Sequence, residues 1–361
     1  MKLRVGIIFG GNSREREISF AGGRTVFDNL NKSLFEAVPV FVDSFGNFVL
    51  LNWEYIYKGS IRDFYPPVEF LPPSPNEFQV YAESLGDLNR EQQDELIAKI
   101  GIRVEAHQLK DKIDFAFLCL HGTNGEDGRI QGLFEYLKIP YSGSGILSSA
   151  IGMNKVIQKE LMMDAGFLSP AYFSLQRHEW KASPDARSVL KKIKAEIGFP
   201  CVVKAANQGS SIGITMLADD DEMKLMQAVD KSFFMHRLNK KEWEAKSNEQ
   251  KISFIRTLTD IREGIGIPMR ITASSSSKLI HHPEELFNHL NIIFGKGEEK
   301  VLMESLDAEN EIIIEAFIHG KEFSCIVIRN EQQKVLPLGE DLGGAGWAGV
   351  VCALPDRKSV V

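Results

Sequence analysis

The stretch that most constrains this chain is Lys204–Gly213, KAANQGSSIG, which follows the apolar run Phe199-Pro200-Cys201-Val202-Val203. A short apolar run bounded by turn residues predicts a buried strand. Lys204 then falls at the strand's end, with the glycine-flanked serines in the turn beyond it. A lysine followed by a small-residue loop of backbone N–H groups suits the polyphosphate of a nucleotide. Taken alone, the same residues also suit a solvated turn after an edge strand, so the rest of the chain has to decide.

The chain has 361 residues, room for two or three domains that each bury a core. Its hydrophobic and charged fractions, 43% and 25%, are those of a soluble globular protein. A net charge of -7 argues against a general nucleic-acid or anionic-membrane surface, and every apolar run is too short to span a bilayer. The start, MKLRVGIIFGG, predicts a first strand and not a signal peptide, which makes the cytoplasm the expected location. The four cysteines lack metal-ligand spacing, and Cys119, Cys201 and Cys325 sit in apolar runs as small hydrophobes would.

Leu3 to Phe9 predicts a strand, Gly10-Gly11-Asn12-Ser13 a turn, and the residues from Arg14 a helix. This is an α/β opening with an anion-friendly helix start. GGNSRERE lacks the third glycine and the ribose acid of a dinucleotide fingerprint, which argues against a Rossmann oxidoreductase. Ile113 to Leu120 predicts a strand ending at His121-Gly122, and HGTNGEDGRIQG a polar loop into a helix over Ile130 to Leu137. The small-residue segment SGSG closes a first domain near Ala150. One helix is expected over Ile151 to Ala165, carrying Lys155, and another over Arg187 to Ile197. Asp219 to Glu222 reads as a helix cap, Ser232 to Glu263 as two helices, and His281-His282 as a solvated loop. The histidine pair is not a metal site on this reading, because adjacent side chains diverge. Glu311 to Phe317 predicts a strand, joined by a short turn to a returning strand over Phe323 to Ile328.

Four separated pieces now stand together: GGNSREREIS; HGTNGEDGRIQG with PYSGSG; MNK; and KAANQGSSIG followed by the Glu315 hairpin. In this order the chain resembles the D-alanine–D-alanine ligases of the ATP-grasp superfamily, from residue 1 to about residue 337. The resemblance implies an α/β ATP-grasp architecture. Residues 1–150 would be an N-terminal doubly wound α/β domain, and 151–317 a central α+β lobe with a helical insertion at about 223–302. Residues 318–338 would begin an incomplete C-terminal lobe, and 339–361 would be a non-native tail. The last six residues, DRKSVV, match the translation of a common sequencing adapter. The family's mobile lysine–tyrosine loop, oxyanion arginine and magnesium-binding acids find no counterpart before Val361.

The activity implied is ATP-dependent ligation of two D-alanines through an acyl phosphate, for peptidoglycan precursors, although a chain shortened in this way is expected not to turn over. The implied small molecules are ATP, D-alanine and Mg2+, with neither a nucleic-acid nor a membrane partner, and relatives are often homodimers through the first domain. Carried over residue by residue, Glu15 holds the first substrate's ammonium group. His121 stands beside the acyl-phosphate site with Glu126 in the same loop, and Ser210 links to Glu15. These four bind substrate, and Glu15, Ser210 and His121 are the catalytic set. Lys155, Lys204 and Ser211 face the ATP phosphates, Glu315, Ala316, Phe317 and Ile318 form the adenine hinge, and Glu322 binds ribose. A D-alanine–D-lactate or other ATP-grasp carboxylate–amine ligase is the sibling reading, and a non-catalytic nucleotide-binding protein the reading from another class.

Overall fold

In the computed structural model, residues 2–274 and 276–320 are described, together with the backbone of three short strands beyond them, Val327–Asn330, Val335–Pro337 and Trp347–Ala348. The described residues through His319 divide into two compact units, one of residues 2–69 and 89–158, the other of 70–88 and 159–319.

The first unit contains β1 (Leu3–Gly10), α1 (Arg16–Asn29), β2 (Phe35–Val42), β3 (Phe48–Leu51), α2 (Arg90–Ala98), β4 (Gly101–Val104), α3 (Leu109–Lys112), β5 (Phe115–Leu118), α4 (Arg129–Leu137) and α5 (Ile146–Met153). Its sheet runs β4-β3-β2-β1-β5. The pairs β1–β2 and β1–β5 are parallel, whereas β2–β3 and β3–β4 are antiparallel. The sheet is therefore mixed, parallel about β1 and antiparallel toward its β4 edge. Asp43 explains the change of direction: its Oδ1 accepts from the Phe45 and Asn47 N–H groups at 3.0 and 2.8 Å. That tight turn can join only antiparallel neighbours, whereas β1 to β2 crosses over through α1. Strand order reverses at β1, which has β2 on one side and β5 on the other. Loops at the carboxyl ends of strands flanking such a switch point are where open α/β sheets bind ligands.

The second unit begins with α6 (Lys155–Asp164), which starts in the first. It continues through β6 (Tyr172–Gln176), α7 (Arg177–Ala182), α8 (Ala186–Glu196), β7 (Cys201–Ala205), β8 (Thr215–Leu217) and α9 (Glu222–Ser232). Then come β9 (Met235–Asn239), α10 (Lys240–Glu244), α11 (Asn248–Thr259), β10 (Met269–Thr272), β11 (Ser277–Ile280), α12 (Pro283–Gly295), β12 (Lys300–Ser305) and β13 (Glu311–Ala316). The single helix expected over Ile151 to Ala165 is two. Asn154 separates them, its Oδ1 capping α6 by accepting from the Val156 and Ile157 N–H groups.

Two antiparallel sheets organise this unit, β6-β13-β7-β8 and β11-β10-β12-β9. The second sheet corrects the expected helical insertion at 223–302. Leu225, Val229 and Phe233, on or just after α9, pack with Val203 and Ile312 of the first sheet. The stretch with a core of its own thus starts after α9, at β9, and ends with β12. It is a four-stranded sheet covered by helices, with its own core of Trp243, Ile255, Leu286, Leu290 and Phe294. The two helices expected over Ser232 to Glu263 are α10 and α11, preceded by a strand the mixed polarity of MHRLN conceals. His281-His282 is not a solvated loop either. His282 is buried and caps α12, its Nδ1 accepting from the Glu284 N–H at 3.1 Å.

Two ionic clusters hold the neck of this insertion. At its entry the buried Asp230 accepts from Trp180 Nε1 at 2.7 Å and from Arg237 Nε at 2.9 Å. At its exit the buried Glu304 pairs with Arg177 and with Lys181, the latter at 2.5 Å. Residues 70–88 strap the far side: Phe78 enters the insertion core, and Ser74 and Asn76 donate to the Glu284 carboxylate. Trp243 is 1% exposed and donates its indole N–H to Asn291. Trp243→Ala is expected to cost about 3–5 kcal/mol of stability, read by denaturant titration, with hydrogen exchange rising first in the insertion.

Candidate functional site

In the first unit, the loops after β1 and β5 are tied to each other at the switch point. Ser13 Oγ donates to the His121 carbonyl at 2.6 Å, and Asn124 Nδ2 donates to Asn12 Oδ1 at 2.9 Å. The Gly10 N–H is held by the buried Ser19 hydroxyl, and Gly11 N–H by the Val42 carbonyl. Glu15 sits at the N-cap position of α1 without making a side-chain cap, and it is 2% exposed. Its Oε2 lies 2.9 Å from where a Cβ on Gly122 would stand, which places it against the start of the second loop.

Glu126 closes that loop, accepting from the Gly122 N–H at 2.8 Å with Oε2 and lying 3.7 Å from His121 Nδ1 with Oε1. The longer distance is that of an ion pair and not of a hydrogen bond. The Glu126 carboxylate raises His121 above the usual imidazole range against the pull of burial, and the charge of Glu15 adds to it. Burial opposes ionisation of Glu126, but His121 and the Gly122 N–H outweigh it and hold its carboxyl below the usual carboxylate range. Glu15, His121 and Glu126 thus stand together where the two loops meet.

In the second unit, Lys204 leaves β7 beside Glu315 of β13. The register sets Lys204 opposite Ile313, two residues from Glu315 on the same face. Lys204 Nζ pairs with Glu315 Oε1, and Lys159 Nζ of α6 stands 2.8 Å from Oε2. Lys159 was not singled out in the sequence; its spacing four residues after Lys155, one helical turn on, was the available signal. Its ammonium is pulled below the usual lysine range by burial and by Lys204, while Glu315 acts the other way.

Beyond Lys204 the loop is held at both ends. Asn207 and Gln208 donate to the two oxygens of the buried Glu309 at 3.0 and 2.7 Å, and Ser232 Oγ donates to the Gly213 carbonyl at 2.7 Å. Glu309 was also missed, since a carboxylate in a turn carries no distinguishing pattern. Ser210 and Ser211 have φ of 49° and 63°. Left-handed backbone at consecutive non-glycine residues is strained and persists where the surroundings dictate it, most often at ligand sites. The N–H groups of Ala316 and Phe317 are used by the Ala171 and Pro200 carbonyls, while Ile318 is exposed. Lys155 is buried at the first position of α6 and not on a solvated face. Glu322 lies outside the described residues. Burial pushes the Cys119 thiol up to about 12 and that of Cys201 to about 11, so both are structural; Cys325 lies outside the described residues.

Residues 4–144 match the family model described as the D-ala D-ala ligase N-terminus, and residues 161–238 the one described as the D-ala D-ala ligase C-terminus. The chain belongs to the D-alanine–D-alanine ligase family. A D-alanine–D-alanine ligase of Geobacillus thermodenitrificans is 35% identical over 224 residues, 62% of this chain and 56% of that protein. One of Bacillus velezensis is 35% identical over 217 residues, 60% of this chain and 55% of that protein. The chain thus spans about half the length of the curated ligases it matches. Among solved structures, the VanG D-Ala:D-Ser ligase from Enterococcus faecalis gives a TM-score of 0.52 at 21% identity, over 93% of this chain and 68% of that one. The D-alanine–D-alanine ligase of Helicobacter pylori gives 0.52 at 17% identity, over 93% and 70%. These likenesses establish the fold as ATP-grasp. The second family match stops at Leu238, inside β9, so nearly all of the insertion lies beyond it.

Two measurements test this geometry. His121, with its folded pKa raised, contributes stability that is full below the usual imidazole range and is lost as pH rises through the folded value. Glu126, with its pKa lowered, contributes stability that is present above the usual carboxylate range and is lost as pH falls through its folded value. The pair is therefore strongest between those two ranges. An NMR titration should place His121 above a solvent-exposed histidine of the same protein, and Glu126→Gln should lower it. Gly122→Ala meets both φ +67° and the Glu15 carboxylate. It should cost about 1–3 kcal/mol in denaturant titration.

Proposed function

We propose that this chain carries the nucleotide- and first-substrate-binding parts of an ATP-dependent ligase that joins two D-alanines. The observation that carries the reading is the arrangement around β7. A strand-end lysine, a loop with two strained serines and a hinge on β13 share one sheet, in a chain of this family. ATP would lie with its adenine against Glu315, Ala316, Phe317 and Ile318, where the Ile318 N–H is the backbone donor next after those used within the sheet. Its ribose would reach Glu322. Lys204 and the N–H and hydroxyl groups of Ser210 and Ser211 would meet the phosphate charge.

Transfer of the γ-phosphoryl group to the first D-alanine carboxylate gives an acyl phosphate, and the amine of the second D-alanine then displaces phosphate. This chemistry asks for positioning and charge neutralisation, without a covalent nucleophile. Glu15 would hold the first substrate's ammonium group. A protonated His121 beside Glu126 would place positive charge by the forming acyl phosphate. Magnesium bound with ATP would neutralise further phosphate charge. The described residues do not fit it: no cluster of three histidine, cysteine or carboxylate side chains gathers among them, so no step is assigned to the ion here.

A D-alanine–D-lactate or other carboxylate–amine ligase differs from this reading only in the second acceptor. The cytoplasm is the expected location; among the described residues no helix is long and apolar enough to cross a membrane. A homodimer through the first unit is the expected assembly. The test is phosphate release from ATP with D-alanine and magnesium, on this chain and on the chain continued from its genomic locus. D-alanine-dependent release, lost in Lys204→Met, supports the ligase. ATP binding without release under any of these conditions would favour a non-catalytic nucleotide-binding protein.

A further inference from the structure

Two ammonium groups share one buried carboxylate beside the nucleotide loop. The side chains of Lys204, Glu315 and Lys159 are 4%, 7% and 13% exposed, so the trio holds one uncompensated positive charge in a desolvated place. The two lysines are not equivalent. Lys159 is anchored on three sides: by Glu315, by a 3.1 Å hydrogen bond to Ser169 Oγ, and by the Tyr172 ring, whose centroid lies 5.3 Å from Nζ. Among the described residues the Lys204 ammonium is held by Glu315 alone. Lys204 also stands at the end of the strand that opens into the Ser210–Ser211 loop. Removing one partner of a buried ion pair is strongly unfavourable when the other charge is left bare. A lysine that must turn from carboxylate to phosphate therefore needs a second cation to remain behind.

We propose that Lys159 is a positioning residue that keeps Glu315 neutralised while Lys204 transfers from Glu315 to the phosphates of a nucleoside triphosphate. The proposal rests on the nucleotide reading of the Lys204 loop. In the free protein Glu315 holds Lys204 away from solvent and in register. When the polyphosphate arrives, its charge takes up Lys204, and the Lys159–Glu315 pair stays closed. The excess positive charge of the trio is the share the phosphate satisfies.

The test compares equilibrium binding of ATP and of adenosine to the intact chain and its variants. Lys159→Met should weaken ATP roughly tenfold or more, because Lys204 can no longer leave Glu315 without baring it. Adenosine, which has no phosphate, should bind within about twofold of the unaltered protein. Lys159→Arg should retain ATP binding, and adding Glu315→Gln to Lys159→Met should restore it by releasing Lys204. Should Lys159→Met not fold, lysine Nζ resonances of the unaltered protein give the same answer: ATP should shift Lys204 and leave Lys159 in place. Full ATP affinity in folded Lys159→Met, equal losses for ATP and adenosine, no rescue by Glu315→Gln, or a shift of Lys159 with ATP would each overturn the proposal. Failure of the unaltered protein to bind ATP would overturn the nucleotide reading itself, and the proposal with it.

Discussion

The pairing of β13 with β7 is the constraint on which the Lys204 side of the second unit depends. One register sets Ile314 against Val203 and Glu315 against Val202, and several consequences follow from it. Lys204 and Glu315 fall on one face within reach of each other. The Ala206 N–H meets the Glu311 carbonyl, so the loop leaves the sheet at a fixed place. Glu309, just before β13, reaches Asn207 and Gln208 and holds the loop's base. A slip by one residue would turn Glu315 to the opposite face and strand both lysines. The apolar faces of β13 and β7, with Ile312, Ile314 and Val203 in one core, oppose such a slip.

The first unit reaches a site by a different physical route. There the parallel arrangement of β1 and β5 brings two loop ends side by side, and short hydrogen bonds through Ser13 and Asn12 convert proximity into fixed geometry. Within that frame three ionisable groups acquire unequal environments: Glu15 is deeply buried, while His121 and Glu126 are about one-third exposed. The partial exposure of the pair leaves its charge open to solvent, whereas the Glu15 carboxylate is buried.

The sequence made the two strand–loop–helix units legible because each signal is local: an apolar run, a glycine turn, then helical periodicity. It also drew attention to Glu15, His121, Glu126, Lys204 and Glu315, since the loops that carry them have recognisable order. What it concealed depends on partners far along the chain. Glu309 and Lys159 acquire meaning only through contacts over 102 and 156 residues, the separations of Asn207 from Glu309 and of Lys159 from Glu315. The insertion read as helical because α10, α11 and α12 have strong charge periodicity. Its strands are short and mixed in polarity, as in MHRLN and SKLI, and their pairing is settled by the core they cover. His282 read as solvated because capping is decided by where a helix begins, which two adjacent histidines do not announce.

Residues 70–88 give the chain an unusual connectivity. The polypeptide leaves the first unit after Glu69, contributes Phe78 and Asn76 to the second, returns at Asn89, and departs again after Gln158. Neither unit is therefore a continuous segment that one cut can isolate. A fragment ending at residue 158 would carry an orphaned strap with Phe78 uncovered, and a fragment beginning at 159 would lack the residues that close the insertion's core. For anyone dissecting this protein, the second unit has to be co-expressed with its strap or rejoined by circular permutation.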